Sequence, residues 1–351
     1  MKIGILTLPL HTNYGGILQA YALQSVLRGM GHDVKIIDGG IHAIPMWKII
    51  LGYLKQLALS LGKTRLHHIH SFQIRRFVKD YLEILCPNKV FSENTFDVII
   101  VGSDQVWRNS YAERIEYYFL DFAKEWDVKR VAYAASFGID SWDYPDDKTE
   151  LCKKLVHLFD YISVREESGI HLCKEFLDAE ASMMIDPTLL LSAQEYNEIG
   201  KKNNSKIQGE LLAYILDSTE EKQKTLKCLK ETYQIESYSL NSQSALFNQY
   251  LSVEYWLDGF SKAKFVFTDS FHGCVFSLIF NVPFIVYANK ERGMARFYSL
   301  LKLFGLENRL IYNMEDLSRA VHSPIDWKYV NECLGKYQSL AIKTIEECLK
   351  N

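Results

Sequence analysis

The sequence lacks the features that identify several common classes of protein. Its seven cysteines are odd in number and no two are spaced C-x-x-C, which argues against a disulfide framework or a zinc site and favours reduced thiols. The formal net charge is only -3, which argues against a dedicated nucleic-acid binder. No apolar run is long enough to span a bilayer, and residues 2–8 (KIGILTL) are too short for a secretory signal. We therefore expect a cytoplasmic protein.

The chain also has no G-x-G-x-x-G sequence, so the dinucleotide-binding fingerprint is absent. What it does have is length and apolar content. With 351 residues, of which 48% are hydrophobic, it can form two domains with large cores.

Strands and helices are predicted to alternate along the chain. Residues 96–101 (FDVIIV) form a continuous apolar run, which is typical of a fully buried parallel strand. The other elements predicted in the first part are strands at 2–8, 33–38, 130–136, 161–165 and 182–186 and a helix at 17–29. Such alternation predicts βαβ units and a parallel sheet.

A polar stretch around 196–209 predicts a flexible boundary between two domains. After it the alternation restarts, with strands at 211–216, 235–240, 264–268 and 283–287 and helices at 219–232, 253–262 and from His272. The predicted fold class is α/β, with two Rossmann-like domains and a cleft between them. The predicted domains are 1–195 and 208–325, followed by a helix at 326–351 that packs back toward the N-terminal domain.

Residues 43–80 interrupt the first domain with a basic, amphipathic segment. It contains seven lysines and arginines in total and a single acidic residue, Asp80. Such a segment either lies on an anionic membrane surface or packs on its own domain with its lysine stems covering apolar surface. The cluster His67-His68-x-His70 inside it is either a metal site or a solvated helix start, and we expect no metal.

Ligands of open α/β sheets bind beyond the carboxyl ends of the strands, so the loops after strands contain the candidate site residues. The first of these loops contains Asn13, Tyr14, Gly15 and Gly16. Paired glycines let the backbone approach a ligand and a helix N-terminus attracts an anion, but a tight turn has the same pattern. The second loop contains Ser103 and Asp104, where a carboxylate can orient or deprotonate a hydroxyl, or cap a helix.

Two further loops contain a cation and a histidine. The guanidinium of Arg165 either binds a carboxylate or phosphate or pairs with Glu166 or Glu167. The turn Asp269-Ser270-Phe271-His272 connects a predicted strand to a helix. A histidine there can act as an acid or base near neutral pH, although a lone histidine is more often structural. We take His272 as the central residue of the site.

Ordered blocks along nearly the whole chain resemble the polysaccharide pyruvyl transferase family. They are NYGGILQAYALQ (13–24), FDVIIVGSDQVW (96–107), RVAYAASFG (130–138), ISVREESG (162–169), IDPTLLL (185–191), TDSFHGCVFSLIFNVPFIVY (268–287) and ARFYSLLKLFGLENR (295–309). The resemblance implies a glycosyltransferase-B-like fold. It also implies transfer of an enolpyruvyl-derived group from phosphoenolpyruvate to a sugar, which becomes a pyruvate ketal.

The resemblance assigns roles to three residues. It makes His272 a general acid or base, Asp104 a base that orients a hydroxyl, and Arg165 an anion clamp. The family pattern has an arginine where this chain has Ser270. Three nearby residues can supply that charge if the donor is the same: Lys290, Arg292 and Arg296.

The expected partners are phosphoenolpyruvate and a sugar of a surface polysaccharide, or of its polyprenyl-diphosphate-linked precursor. An anionic membrane is a further partner if segment 43–80 binds one, and no cofactor or metal is required. The predicted substrate-binding residues are Asn13, Tyr14, Gly15, Gly16, Ser103, Arg165, Asp269, Ser270, Arg292 and Arg296. Two alternatives stay open: a nucleotide-sugar-dependent glycosyltransferase of the same fold, and a non-catalytic glycan-binding relative.

Overall fold

The computed structural model describes residues 1–38, 72–85, 92–203, 206–240 and 251–350. Within these ranges the chain forms two parallel sheets with helices packed against them. The predicted α/β class is therefore confirmed.

The first sheet is built from the N-terminal half of the chain. Its strands are β1 (Lys2–Thr7), β2 (Asp33–Asp38), β3 (Val98–Val101), β4 (Lys129–Ala135), β5 (Tyr161–Val164) and β6 (Ser182–Met183). They are all parallel, in the order β2-β1-β3-β4-β5-β6. All four residues of β3 are buried, as its apolar run predicts for a central strand covered on both faces.

The second sheet repeats this arrangement in the C-terminal half. Its strands are β7 (Leu211–Tyr214), β8 (Ser237–Ser239), β9 (Phe265–Thr268), β10 (Phe284–Tyr287) and β11 (Leu310–Ile311). They are also parallel, in the order β11-β10-β9-β7-β8. In both sheets the first strand lies inside, so the strand order reverses beside it and leaves a crevice at the carboxyl ends.

Helices connect the strands. They are α1 (Tyr14–Gly29), α2 (Phe72–Tyr81), α3 (Asp146–Val156), α4 (Glu167–Leu177), α5 (Ala193–Gly200), α6 (Glu220–Tyr233), α7 (Val253–Lys262), α8 (Phe271–Ile279), α9 (Ala295–Leu303), α10 (Glu315–His322) and α11 (Trp327–Lys350). Helices α6 and α7 each begin after an N-cap hydroxyl, from Thr219 and Ser252, that accepts a backbone N–H bond in the first turn. These caps agree with the predicted helices at 219–232 and 253–262.

One apolar core is continuous between the two sheets. It includes Ile5 and Leu23 of the first domain together with Trp256 and Phe276 of the second. Two separate clusters cover the other face of each sheet. The domains therefore share buried apolar surface instead of meeting only through a linker.

The domains also touch at the rim of the cleft. Gly293 has φ +86, and a Cβ on it would lie 1.8 Å from the carbonyl oxygen of Gly138. Beside this contact the guanidinium of Arg108 donates to the backbone carbonyls of Glu291 and Arg292 at 3.3 and 3.4 Å. The structure thus shows the cleft in a closed arrangement.

The polar stretch around 196–209 is helical where it begins. Helix α5 starts with a capping box, in which Ser192 and Glu195 satisfy each other's backbone amides. Tyr196 and Ile199 are buried in the core shared by the domains. The prediction of flexibility is therefore wrong for the part inside α5, because two well-placed apolar residues dock an otherwise polar helix.

Helix α11 returns from the second domain to the first. Nε2 of Gln338 donates to the carbonyl of Leu189 at 2.7 Å, and Nζ of Lys129 donates to the carbonyl of Cys348 at 2.9 Å. Near its end, Ile345 lies with residues of the first sheet around a small apolar cavity.

Most of the basic segment 43–80, including the cluster His67-His68-x-His70, lies outside the described residues. Its last part is α2, which buries Ile74 and Phe77 against the first domain. No helix in the described ranges is both long and apolar enough to cross a membrane. Within the same ranges, no three His, Cys, Asp or Glu side chains come together as a metal site would require.

Candidate active site

Two helix N-termini meet in the cleft. Helices α1 and α8 follow β1 and β9, so both begin at the carboxyl ends of central strands. Their first turns are in contact, since a Cβ on Gly15 would lie 1.9 Å from Nδ1 of His272. Glycine at position 15 therefore lets the imidazole of one domain lie against the helix of the other. The positive ends of both helix dipoles make this place attractive to an anion.

Asp104 lies on the other side of the same turn. Its Oδ2 accepts a hydrogen bond from Nδ2 of Asn13 at 3.2 Å. A Cβ on Gly16 would lie 2.8 Å from that oxygen. His272 and Asp104 thus flank the paired glycines at the start of α1, as a site with an acid and a base would require.

Asp186 is a buried carboxylate between the two domains. Its Oδ1 accepts from the backbone amide and the hydroxyl of Thr188, at 2.9 and 2.6 Å. Its Oδ2 accepts from the hydroxyl of Ser103 at 3.1 Å and from Nη1 of Arg165 at 2.5 Å. Nε2 of His272 lies 3.6 Å from the same oxygen. One carboxylate of the N-terminal domain therefore contacts the predicted anion clamp and lies beside the predicted acid.

The neighbours of Asp186 determine its charge. Burial alone would raise the pKa of this carboxyl group. The opposing effects of His272, Arg165 and Thr188 outweigh burial and hold the pKa of Asp186 well below its usual range. His272 therefore lies beside a permanent negative charge at neutral pH.

Two buried guanidinium groups lie against the ring of Phe271. The central carbon of Arg165, from the first domain, is 4.6 Å from the ring centroid, and that of Arg296, from α9, is 5.2 Å away. Among the described residues, Nε and Nη2 of Arg165 and Nε of Arg296 have no hydrogen-bond partner. Buried donors are normally satisfied, so these N–H groups are available to donate to a ligand with acceptor oxygens.

Burial lowers the pKa of Arg296 to about 10, and the positive charge of Arg165 contributes in the same direction. Glu166 and Asp104 act in the opposite direction. Nη2 of Arg296 donates to the carbonyl of Arg292 at 2.9 Å, which anchors one edge of the guanidinium. Two like charges buried together are unfavourable until an anion joins them, so the pair is suited to binding one.

Arg165 does not pair with either of the neighbouring glutamates, which was the alternative to an anion-binding role. Oε1 of Glu166 instead accepts from the backbone amides of Phe137 and Gly138, at 2.7 and 2.9 Å. Glu167 pairs with Lys302 of the second domain at 2.8 Å. Glu166 thus fixes the turn that contains Gly138, Glu167 links the two domains, and the partner of Arg165 is a carboxylate more remote in sequence.

Arg292 is engaged elsewhere. Its Nε and Nη2 donate to the two oxygens of Asp217 at 2.5 and 3.0 Å. This contact lowers the pKa of Asp217 to about 2. Lys290 is exposed at the surface. Of the three residues that could replace the family's arginine, Arg296 is the one buried beside Arg165.

Three other predicted residues have structural partners. The carboxylate of Asp269 accepts from the amides of Leu216 and Asp217 and from Nζ of Lys222, at 2.6, 3.1 and 2.7 Å. Ser270 caps α8 by accepting from a backbone amide of its first turn at 3.3 Å. The hydroxyl of Tyr14 donates to a backbone carbonyl at 2.7 Å, and its ring stacks on a tryptophan of α7. Each of these three side chains is thus held by partners within the protein.

The site contains one residue that the sequence pattern did not single out. Residues 182–186 are predicted as a strand, which places Asp186 inside it. In the structure β6 ends at Met183, so Asp186 follows a strand in the same way as Asp104 and Arg165 do. The available signal was Pro187, because proline disfavours continuation of a paired strand.

Comparison with known proteins agrees with this architecture. A sequence model of the family described as polysaccharide pyruvyl transferase matches residues 13–291. This span includes the glycine turn of α1, Asp104, Arg165, Asp186 and His272. No curated protein matches the chain.

Solved structures with a similar fold include sugar-nucleotide enzymes. UDP-GlcNAc 2-epimerase from Methanocaldococcus jannaschii has a TM-score of 0.57 and 14% identity over 100% of both chains. The enzyme of the same name from Neisseria meningitidis, bound to UDP-GlcNAc, has a TM-score of 0.54 and 11% identity over 100% of both chains. MnaA of S. aureus with UDP has a TM-score of 0.55 and 11% identity over 99% and 97%. At these identities the likeness shows the fold alone, which is glycosyltransferase-B-like as expected.

Proposed function

Because the chain belongs to the polysaccharide pyruvyl transferase family, we propose that its donor is phosphoenolpyruvate and that it forms a pyruvate ketal on a sugar. The acceptor in this proposal is a surface polysaccharide or its polyprenyl-diphosphate-linked precursor. The observation that supports this donor most strongly is the pair Arg165 and Arg296, whose buried N–H groups over the ring of Phe271 have no partner among the described residues.

The negative charge of phosphoenolpyruvate complements the positive charge of this site. It has a phosphate and a carboxylate on a small enol, so it needs several cations close together. Arg165 and Arg296 supply two full charges, and the N-termini of α1 and α8 supply partial ones. Arg296 thereby takes the role of the family's arginine at the position of Ser270.

In the proposed reaction His272 is the acid and Asp104 is the base. His272 protonates C3 of the enol, which makes C2 electrophilic. One acceptor hydroxyl adds to C2 while Asp104 removes its proton. The C2–O bond to phosphate breaks, and a second hydroxyl of the same sugar closes the ketal. One of the two hydroxyl protons restores the proton that His272 gave to C3, and the other leaves with phosphate. The protons therefore balance, and no oxidant or reductant is needed.

Replacing His272 with alanine tests this proposal. We expect phosphate release from phosphoenolpyruvate in the presence of acceptor glycan to fall by about 10²–10⁴-fold, the usual contribution of a general acid. Mass spectrometry of a lipid-linked glycan should show the ketal with the unaltered protein and not with the variant. His171→Ala, which removes an exposed histidine on α4, should leave the rate unchanged.

Two results would contradict the proposal. One is the absence of phosphate release by the unaltered protein at saturating acceptor, with turnover of a UDP-sugar instead. That result would favour the glycosyltransferase alternative, for which the UDP-GlcNAc enzymes of similar fold are the reason to include UDP-GlcNAc in the assay. The other is unchanged ketal formation by His272→Ala.

A further inference from the structure

Asp186 is shared between groups of both domains. Its Oδ2 accepts from Arg165 at 2.5 Å and lies 3.6 Å from Nε2 of His272, while Oδ1 is occupied by Thr188. The carboxylate is almost completely buried. Nε2 of His272 has no hydrogen-bond partner among the described residues. The acceptor that the structure places nearest to Nε2 is therefore Oδ2 of Asp186, which also accepts the hydrogen bond from Arg165.

We infer that Asp186 is a positioning residue that orients His272 and Arg165 together, so that the acid is aligned only when the cleft is closed on the donor. This inference rests on the proposed function. Arg165 and Asp186 belong to the first domain and His272 to the second, so opening the cleft separates the imidazole from the carboxylate. A distance of 3.6 Å without ligand is compatible with this role, because catalytic hydrogen bonds often tighten only in the complex.

The geometry also determines which nitrogen transfers the proton. With Nε2 directed at Asp186, the other nitrogen, Nδ1, lies on the side of Gly15 and the N-terminus of α1. An acidic partner for one ring nitrogen fixes the tautomer and leaves the other nitrogen for chemistry. Nδ1 is thus the atom that delivers the proton to C3.

The test compares Asp186→Asn with Thr188→Val. The asparagine keeps an oxygen for Thr188 but removes the charge that faces Arg165 and His272. The valine removes the hydroxyl bond to Oδ1 and leaves Oδ2 unchanged. We expect kcat to fall about 10–100-fold in Asp186→Asn, as for other partners of a functional histidine, and less than about threefold in Thr188→Val.

The pH profile separates positioning from a purely structural role. In Asp186→Asn the alkaline limb of the pH profile of kcat/KM should move, because the negative charge that faces the acid is lost. The other charged groups of the site, Arg165, Arg296 and Asp104, are the same in both variants. A purely structural carboxylate would lower the amount of active enzyme equally at every pH and leave the limb in place, which would overturn the inference.

A spectroscopic measurement on the unaltered protein covers the case in which Asp186→Asn fails to fold. Nitrogen NMR of labelled histidine, assigned with His272→Gln, should show Nε2 of His272 protonated in the presence of phosphoenolpyruvate. A tautomer with the proton on Nδ1 alone would contradict the inference. If the unaltered protein releases no phosphate from phosphoenolpyruvate, the proposed function fails; if it does and Asp186→Asn keeps its rate and pH profile, only the role of Asp186 fails.

Discussion

Replacing Gly15 with alanine should lower kcat for transfer by at least about 100-fold while the protein stays folded. The new Cβ would lie 1.9 Å from Nδ1 and 2.1 Å from Cγ of His272, so either the ring rotates or the cleft opens. Gly15 does not have a positive φ, so alanine adds no backbone strain and the effect is steric. Since misplacing a reacting group by about 1 Å can cost about 100-fold, we expect at least that loss in kcat.

Gly29 provides the matched control. It ends the same helix, and a Cβ there would meet nothing within 4 Å. Gly29→Ala should keep full activity and stabilise the protein by up to about 1 kcal/mol, because alanine is the better helix former. Phosphate release and thermal melting measure both variants. Full activity in Gly15→Ala would show that the imidazole does not work from the position seen here.

Replacing Arg296 with methionine should remove donor turnover and at the same time stabilise the protein. Its guanidinium is buried beside that of Arg165, and Nε has no partner among the described residues. An apolar chain of similar length removes this repulsion and this desolvation, so we expect the free energy of unfolding to rise. The donor loses one of its two cations, so kcat/KM for phosphoenolpyruvate should fall by about 100-fold or more.

Two comparisons make this prediction specific. Arg292→Met should change the donor's KM little, because its partner is Asp217 and both side chains are partly exposed. Arg165→Met should destabilise the protein, because it leaves Asp186 charged and buried without its guanidinium. A loss of donor affinity in Arg292→Met with normal turnover in Arg296→Met would instead assign the second cation to Arg292.

Much of the fold follows from local patterns. Apolar runs of strand length locate the strands of both sheets, and N-cap hydroxyls such as Thr219 and Ser252 locate helix starts. The local pattern does not predict the first part of α5, because its docking depends on Tyr196 and Ile199 meeting a partner that is remote in sequence. Polar composition describes the exposed face of such a helix and not the side that packs.

The rule that ligands bind at strand ends selected Asp104, Arg165 and His272, and the structure places all three around the cleft. The same rule selected Asp269, whose carboxylate instead holds a neighbouring loop and a lysine. The choice of Arg296 over its neighbours depends on which way the chain turns after β10, and spacing alone does not determine that. A position at the end of a strand therefore predicts where polar side chains lie together. It does not predict which of those side chains remain available to a ligand.

The return of α11 to the first domain constrains how the protein can move. In the described residues the chain crosses between the domains twice, once before α5, whose Tyr196 packs on Phe276 of the second domain, and once along α11, whose contacts reach Leu189 and Lys129. Two crossings of this kind define a hinge axis. Rotation about that axis would separate Gly138 from Gly293 and keep the bonds of α11, whereas sliding would break those bonds. We therefore expect the cleft to open by a hinge rotation.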